Sequence, residues 1–206
     1  KAIEDFTRAI ELKPDLAEAY VNRGNAYSEL QEYDKAIAEF NIASELKPDI
    51  AEIFYNRGIV YSNIQSYDKA ITDYTKTIIL EPDFLEAYYN RGKAYFDLEK
   101  FEEAIADFTK TVKIKPDYSD AYYSRGLIYA KDKKEYLKAI NDFSKAIEHK
   151  PDLADGYNNR GNTFAVLEQY QDAIADFSKS IKIEPLEASK YNNRGIAYYN
   201  LKKYDE

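Results

Sequence analysis

The chain has 206 residues, 45% of them hydrophobic, with 37 acidic against 29 basic side chains and a net charge of -8. That balance repels phosphate backbones, so nucleic acid is not expected as a partner, and the absence of cysteine removes disulfides, thiolate nucleophiles and Cys-ligated zinc. No apolar run reaches the ~18 residues needed to span a bilayer and no signal peptide stands out, so the expectation is a soluble, cytoplasmic chain without membrane insertion.

From Lys1 to Leu12 the apolar residues Ala2, Ile3, Phe6, Ala9 and Ile10 recur at helical spacing. Pro14 ends the run, because its ring neither donates a hydrogen bond nor fits inside a helix. Asp15 stands before Glu18 in a variant of the capping box, and its carboxylate is expected to accept from the free amides of the next helix. That helix is predicted from about Leu16 to Leu30, with Ala19, Tyr20, Ala26, Tyr27 and Leu30 on its apolar side. Gly24 falls in its middle, where glycine costs ~1 kcal/mol relative to alanine, so close approach of a neighbouring helix is expected there. Tyr33-Asp34 is expected to turn the chain, and Ala36, Ile37, Phe40, Ala43 and Leu46 make a second amphipathic stripe that Pro48 stops.

This unit of helix, tight turn, helix, tight turn returns down the chain. Arg-Gly recurs at Arg23-Gly24, Arg57-Gly58, Arg91-Gly92, Arg125-Gly126, Arg160-Gly161 and Arg194-Gly195, at spacings of 34, 34, 34, 35 and 34 residues. Pro14, Pro48, Pro82, Pro116, Pro151 and Pro185 keep the same step. Two independent markers with one period define a single repeat array. Full copies are placed at 17–50, 51–84, 85–118, 119–153 and 154–187, after the second helix of a partial copy (1–16) and before the first helix of a truncated one (188–206). The copy from Ser119 carries one extra residue within Lys131 to Glu135, expected as a longer, solvated turn. Lys1-Ala2-Ile3 matches Lys35-Ala36-Ile37, and Tyr204-Asp205-Glu206 matches Tyr33-Asp34-Lys35, so the chain is expected to be a segment of a longer array. Short connections predict antiparallel helix pairs, each too small to bury its own faces, so that neighbouring pairs must stack.

These residues resemble tetratricopeptide repeats over the whole chain. In that family one period carries an aromatic at repeat position 4, Gly or Ala at 8, an aromatic at 11, Ala at 20, an aromatic at 24, Ala at 27 and Pro at 32. The copy from Ala17 to Ile50 supplies Tyr20, Gly24, Tyr27, Ala36, Phe40, Ala43 and Pro48 at those places. The resemblance implies an all-α, right-handed superhelical solenoid of antiparallel helix pairs, with the first helices lining a concave groove. Two departures stand out: position 4 is Tyr or Phe rather than Trp, and position 7 is Arg where an aliphatic is usual.

Three rows of polar residues are the candidates for chemistry. Arg23, Arg57, Arg91, Arg125, Arg160 and Arg194 are matched by acids just before the second-helix aromatic, Asp5, Glu39, Asp73, Asp107, Asp142 and Asp176. A partly buried Arg needs a partner, so this pairing is expected to be a structural ladder rather than a grip on an acidic ligand. Asn22, Asn56, Asn90, Asn159 and Asn193 precede those arginines, with Ser124 the exception. An amide both donates and accepts, so this row could hold the backbone of an extended peptide, as similar proteins with an asparagine ladder do, or could bond between helices; both readings stay open. Around it, Tyr55, Tyr89 and Tyr123 at position 5 are expected as exposed contact surface. Glu52 and Glu86 at position 2 make an acidic rim that also suits helix N-termini.

The positions where related co-chaperones carry the basic residues of a carboxylate clamp hold Val, Tyr, Asn, Glu or Asp, so no such clamp is expected. His149, the only histidine, replaces the Leu or Ile of other copies and is expected to be partly buried, without a second ligand for a metal. No phosphate-binding or dinucleotide motif occurs, so neither an active site nor a cofactor is expected. The function expected is a scaffold that binds an extended protein or peptide segment of neutral to basic character. The alternative is a structural spacer, or a module whose matching ends associate weakly head to tail.

Overall fold

The computed structural model describes residues 1–202. The residues Tyr204-Asp205-Glu206, matched in the sequence to Tyr33-Asp34-Lys35, lie outside the described residues. Every regular element described is an α-helix: α1 Ala2–Leu12, α2 Ala17–Glu29, α3 Tyr33–Leu46, α4 Ala51–Asn63, α5 Tyr67–Leu80, α6 Leu85–Asp97, α7 Phe101–Ile114, α8 Ser119–Lys131, α9 Tyr136–His149, α10 Ala154–Val166, α11 Tyr170–Ile183 and α12 Ala188–Asn200. The described residues form two compact units, 1–107 and 108–202, with the boundary inside α7.

Within the first unit α2 packs on α3 and α4 on α5, while α1 packs on α2, α3 on α4 and α5 on α6. The second unit repeats the scheme with α8 on α9, α10 on α11, and α9 on α10 and α11 on α12. Each unit is thus a stretch of an all-α helical repeat solenoid. Its core is made at the positions whose period marks the sequence. Ala36, Ala70, Ala139 and Ala173 are fully buried, and so are the rings of Phe40, Tyr74, Phe143 and Phe177 four residues on, one helical turn along the same face.

The mid-helix glycines lie under those rings. A Cβ on Gly58 would sit 2.7 Å from Cε1 of Tyr74, and one on Gly126 would sit 2.8 Å from Cε1 of Phe143. At these two positions the close approach is by an aromatic side chain of the second helix rather than by its backbone.

The turns inside each pair differ from the expectation. Tyr33 and Asp34 begin α3 and do not turn the chain. The reversal is made by Gln31, at φ 60, with the Gln31 amide bonded to the Ser28 carbonyl and the Glu32 amide to that of Tyr27. This is a Schellman motif, with a left-handed residue just past the helix end. Gln65, Glu99 and Glu168 repeat it. The extra residue after α8 moves the left-handed position to Lys134, and the closing bond runs from the Glu135 amide to the Tyr129 carbonyl.

The Asp15 capping box is not formed. Leu16 occupies the N-cap of α2 without a side-chain bond, and the Asp15 backbone carbonyl accepts from the Ala17 amide instead. A carboxylate one residue too early contributes its backbone to the turn, not its side chain to the cap. His149, the last residue of α9, is exposed rather than partly buried, and its ring stacks on Tyr122 with centroids 6.0 Å apart.

Candidate functional site

The polar rows occupy two separate layers. In the layer between first and second helices, the arginines make forked ion pairs. Arg57 donates from Nε and Nη2 to the two Asp73 carboxylate oxygens at 2.8 and 2.7 Å, and Arg160 does the same to Asp176 at 2.7 Å for both bonds. Arg23 pairs with Glu39, Arg91 with Asp107 and Arg125 with Asp142 in the same way. The remaining Nη1 reaches back to the preceding second helix, where Thr7, Thr75, Thr109 and Ser144 accept from Arg23, Arg91, Arg125 and Arg160. Arg194, in α12, donates from Nη1 to Ser178.

Each guanidinium also lies beside the position-4 ring of its own helix, for example 5.5 Å from Phe54 and 5.6 Å from Tyr122. Hydrogen bonding to the carboxylate holds Arg57 and Arg160 above the usual arginine range. Hydrogen bonds to two helices and contact with at least one ring thus hold each arginine that has a carboxylate partner.

The second layer lies on the face that first helices present side by side, α2 with α4 and α4 with α6 in one unit, α8 with α10 and α10 with α12 in the other. Asn22, Asn56, Asn90, Asn159 and Asn193 are all half-buried there. Asn90 Nδ2 donates to the Tyr55 hydroxyl at 3.0 Å, and Asn159 Nδ2 to the Tyr123 hydroxyl at 2.9 Å. Asn193 Nδ2 reaches Asn158 Oδ1 at 3.3 Å. No side-chain hydrogen bond joins Asn22 or Asn56 to another described residue.

Tyr55, Tyr89 and Tyr123 are half-buried, not the exposed contact surface expected. Tyr55 packs 4.8 Å from the Phe84 ring and 6.0 Å from that of Tyr74, and Tyr123 lies 5.9 Å from Phe143, so each spends part of its ring on its own fold. Burial, and then the nearby Asp155 carboxylate, push the Tyr123 phenol above its ordinary value, so it stays neutral and keeps its proton to donate. Glu52 and Glu86 are exposed, as are Glu18, Asp120 and Asp155 at the same repeat position.

Clefts open beside three of the asparagines. Asn90 lines one of about 200 Å³ with Ile59 and Lys93, Asn159 one of about 170 Å³ with Leu127 and Val166, and Asn22 one of about 570 Å³ with Val21 and Glu52. Among the described residues no group of three or more His, Cys, Asp or Glu could hold a metal, and no helix is long and apolar enough to cross a membrane.

Models of the TPR repeat match residues 1–31, 24–65, 64–98 and 92–133, and tetratricopeptide repeat models match 119–153 and 154–185. The chain belongs to the tetratricopeptide repeat family. Comparison with curated proteins finds no match. Among solved structures, this tetratricopeptide chain is similar to YrrB, described as a TPR protein with an unusual peptide-binding site, at 26% identity and TM-score 0.79 over 92% of this chain and 97% of that one. It is also similar to MamA, at 26% identity and TM-score 0.77 over 84% of this chain and 94% of that one. MamA from Desulfovibrio magneticus RS-1, at 22% identity and TM-score 0.77 over 84% and 97% of the two chains, shares the fold. A tetratricopeptide fold supports a protein-interaction scaffold.

Two features of this tetratricopeptide chain escaped the sequence reading. Tyr20, Tyr88 and Tyr191 donate their hydroxyls to the carbonyls of Pro14, Pro82 and Pro185, which accounts for tyrosine where the family carries Trp. Thr77 and Ser180, at the position of the pattern's second alanine, donate to the carbonyls of Ala51 and Ala154. The marker in both cases was visible as a departure from the family pattern, but its partner is a backbone carbonyl, which leaves no trace in side-chain spacing.

Proposed function

We propose that the chain holds an extended segment of a partner protein, neutral to basic in character, along the first-helix face at Asn22, Asn56 and Asn90, with Tyr55 and Tyr89 beside them. Asn159, Asn193 and Tyr123 offer the same chemistry in the second unit. The observation that carries the reading is that an inter-helix bond uses one hydrogen of each engaged amide. Asn90 and Asn159 are held in place by tyrosine, yet each keeps a second N–H and an acceptor oxygen beside a cleft. Groups fixed in advance lose little entropy on binding. An extended backbone needs alternating donors and acceptors of this kind, and each rung adds about 0.5–1.5 kcal/mol net. The exposed Glu18, Glu52 and Glu86 bias the face toward cationic side chains. YrrB, similar over nearly its whole length, is described as having a peptide-binding site, which supports the same class of ligand.

Fluorescence titration of a pool of extended basic peptides tests the reading, using wild type and an Asn56→Ala, Asn90→Ala double variant. The expected result is at least tenfold weaker binding by the variant, about 1.4 kcal/mol. Unchanged affinity removes the amide row from the account.

A further inference from the structure

We infer that the cleft between α2 and α4 takes an aromatic side chain, tyrosine above all, from a partner peptide with lysine or arginine next to it. This rests on the peptide-binding reading and specifies what the peptide must carry. One repeat further on, two rings of the chain itself meet at the corresponding place: the Tyr55 ring packs 4.8 Å from Phe84, and its hydroxyl accepts from Asn90. At α2 and α4 the same repeat positions hold Val21 and Ile50, and Asn56 stands where Asn90 does.

Two aliphatic side chains stand where the next repeat has two rings, and both line an open cleft of about 570 Å³. Its floor stays apolar, with Ile53 buried beneath and Ile50 44% exposed at the edge. The asparagine that lines the cleft is Asn22, whose amide has no side-chain bond to any described residue and is open to a hydroxyl entering there. The fold therefore displays, 34 residues along, the group that completes this place: a phenol ring with its oxygen toward an asparagine.

The rim gives the flanking charge. Asp15, Glu18, Asp49 and Glu52 line the cleft against Lys13 and Lys47, and all six are exposed. Four carboxylates against two ammonium groups favour a cationic neighbour for the ring.

The test compares two capped peptides, Ser-Lys-Tyr-Lys-Ser and Ser-Lys-Ala-Lys-Ser, by calorimetry on wild type, Val21→Tyr and Glu52→Gln. Val21→Tyr supplies the ring from within, as Tyr55 does in the next repeat, and circular dichroism checks that its helices are intact. Wild type is expected to prefer the tyrosine peptide by about tenfold, as burial of one ring implies. Val21→Tyr should erase that preference while still binding both peptides weakly. Glu52→Gln should weaken both without altering their ratio. Equal affinity of the two peptides for wild type, a ratio unmoved by Val21→Tyr, or no binding of the tyrosine peptide at millimolar concentration overturns the proposal. The wider peptide reading is judged separately by the asparagine double variant, so either can fall alone.

Discussion

At the scale of single residues, the repeat glycines have opposite roles according to what covers them. At Gly58 an added methyl group meets the buried Tyr74 ring at 2.7 and 2.9 Å, and that ring, 1% exposed, has nowhere to go. Gly58→Ala is expected to lose about 1–2 kcal/mol in urea unfolding, overpacking outweighing the gain in helix propensity. At Gly195 no described residue beyond its own helix lies within 4 Å of an added methyl group, and Gly195→Ala should instead gain about 0.8–1 kcal/mol.

Tyr74 is the one ring of its row with a hydroxyl among the fully buried ones, shared with Ser62 at 3.0 Å, and burial pushes its phenol well above the ordinary 10.0. An acid whose folded pKa is raised keeps its proton in the native state while the unfolded chain releases it. Stability from this group is therefore intact below pH 10 and is lost as pH rises beyond it, at about 1.4 kcal/mol per unit. Tyr74→Phe should remove that share of the alkaline loss and cost about 0.5–1.5 kcal/mol at neutral pH, read as a difference between the two unfolding curves.

The sequence showed that each glycine needed a close neighbour and each arginine a carboxylate, because both obey the period. The hydroxyls of Thr7, Thr75 and Thr109 that complete the arginine forks were not legible. They stand two residues after the acid, on a helix that the pairing alone does not bring near.

At the scale of elements, the turns carry the strain. Gln31, Gln65, Glu99, Lys134 and Glu168 hold positive φ without being glycine, and left-handed backbone costs a side-chain-bearing residue about 1–2 kcal/mol. Gln65→Gly should relieve part of this, raising stability by about 0.5–1 kcal/mol after the added freedom of the unfolded chain is subtracted. A fall in the urea midpoint would show that the Gln65 side chain supports the turn.

The absence of glycine at these sites is also why the sequence placed the reversal at Tyr33-Asp34. The usual mark of a Schellman turn is missing, and an Asp after an aromatic looks like the better turn former. Helix length and helix ends marked by proline were read correctly to within a residue, since Pro14 and Pro48 stop a helix whatever surrounds them. The His149 expectation fails for a different reason: Leu80, Ile114 and Ile183 are half-buried at the same place, whereas the polar imidazole lies exposed against the Tyr122 ring.

At the scale of the whole molecule, the chain repeats one helix-pair pattern, with a net charge of -8 and exposed acidic groups on its first helices. Binding of basic peptides should weaken as salt rises, because exposed charges are screened beyond about 8 Å at physiological ionic strength. Titration at low and high salt checks this, and a salt-independent affinity would remove the acidic rim from recognition. The fold was legible because the period itself encodes it. The candidate face was legible only as rows. Whether an asparagine is engaged depends on the residue one repeat earlier, tyrosine before Asn90 but valine before Asn56, and that comparison needs the geometry of the bond.

The most direct test follows the backbone amide resonances of isotope-labelled protein during titration with the Ser-Lys-Tyr-Lys-Ser peptide. Perturbations are predicted on the first helices, centred on Val21, Asn22, Asn56 and Asn90. Perturbations confined to the second helices α3, α5, α9 and α11, with the first-helix face silent while the peptide binds, would contradict the account.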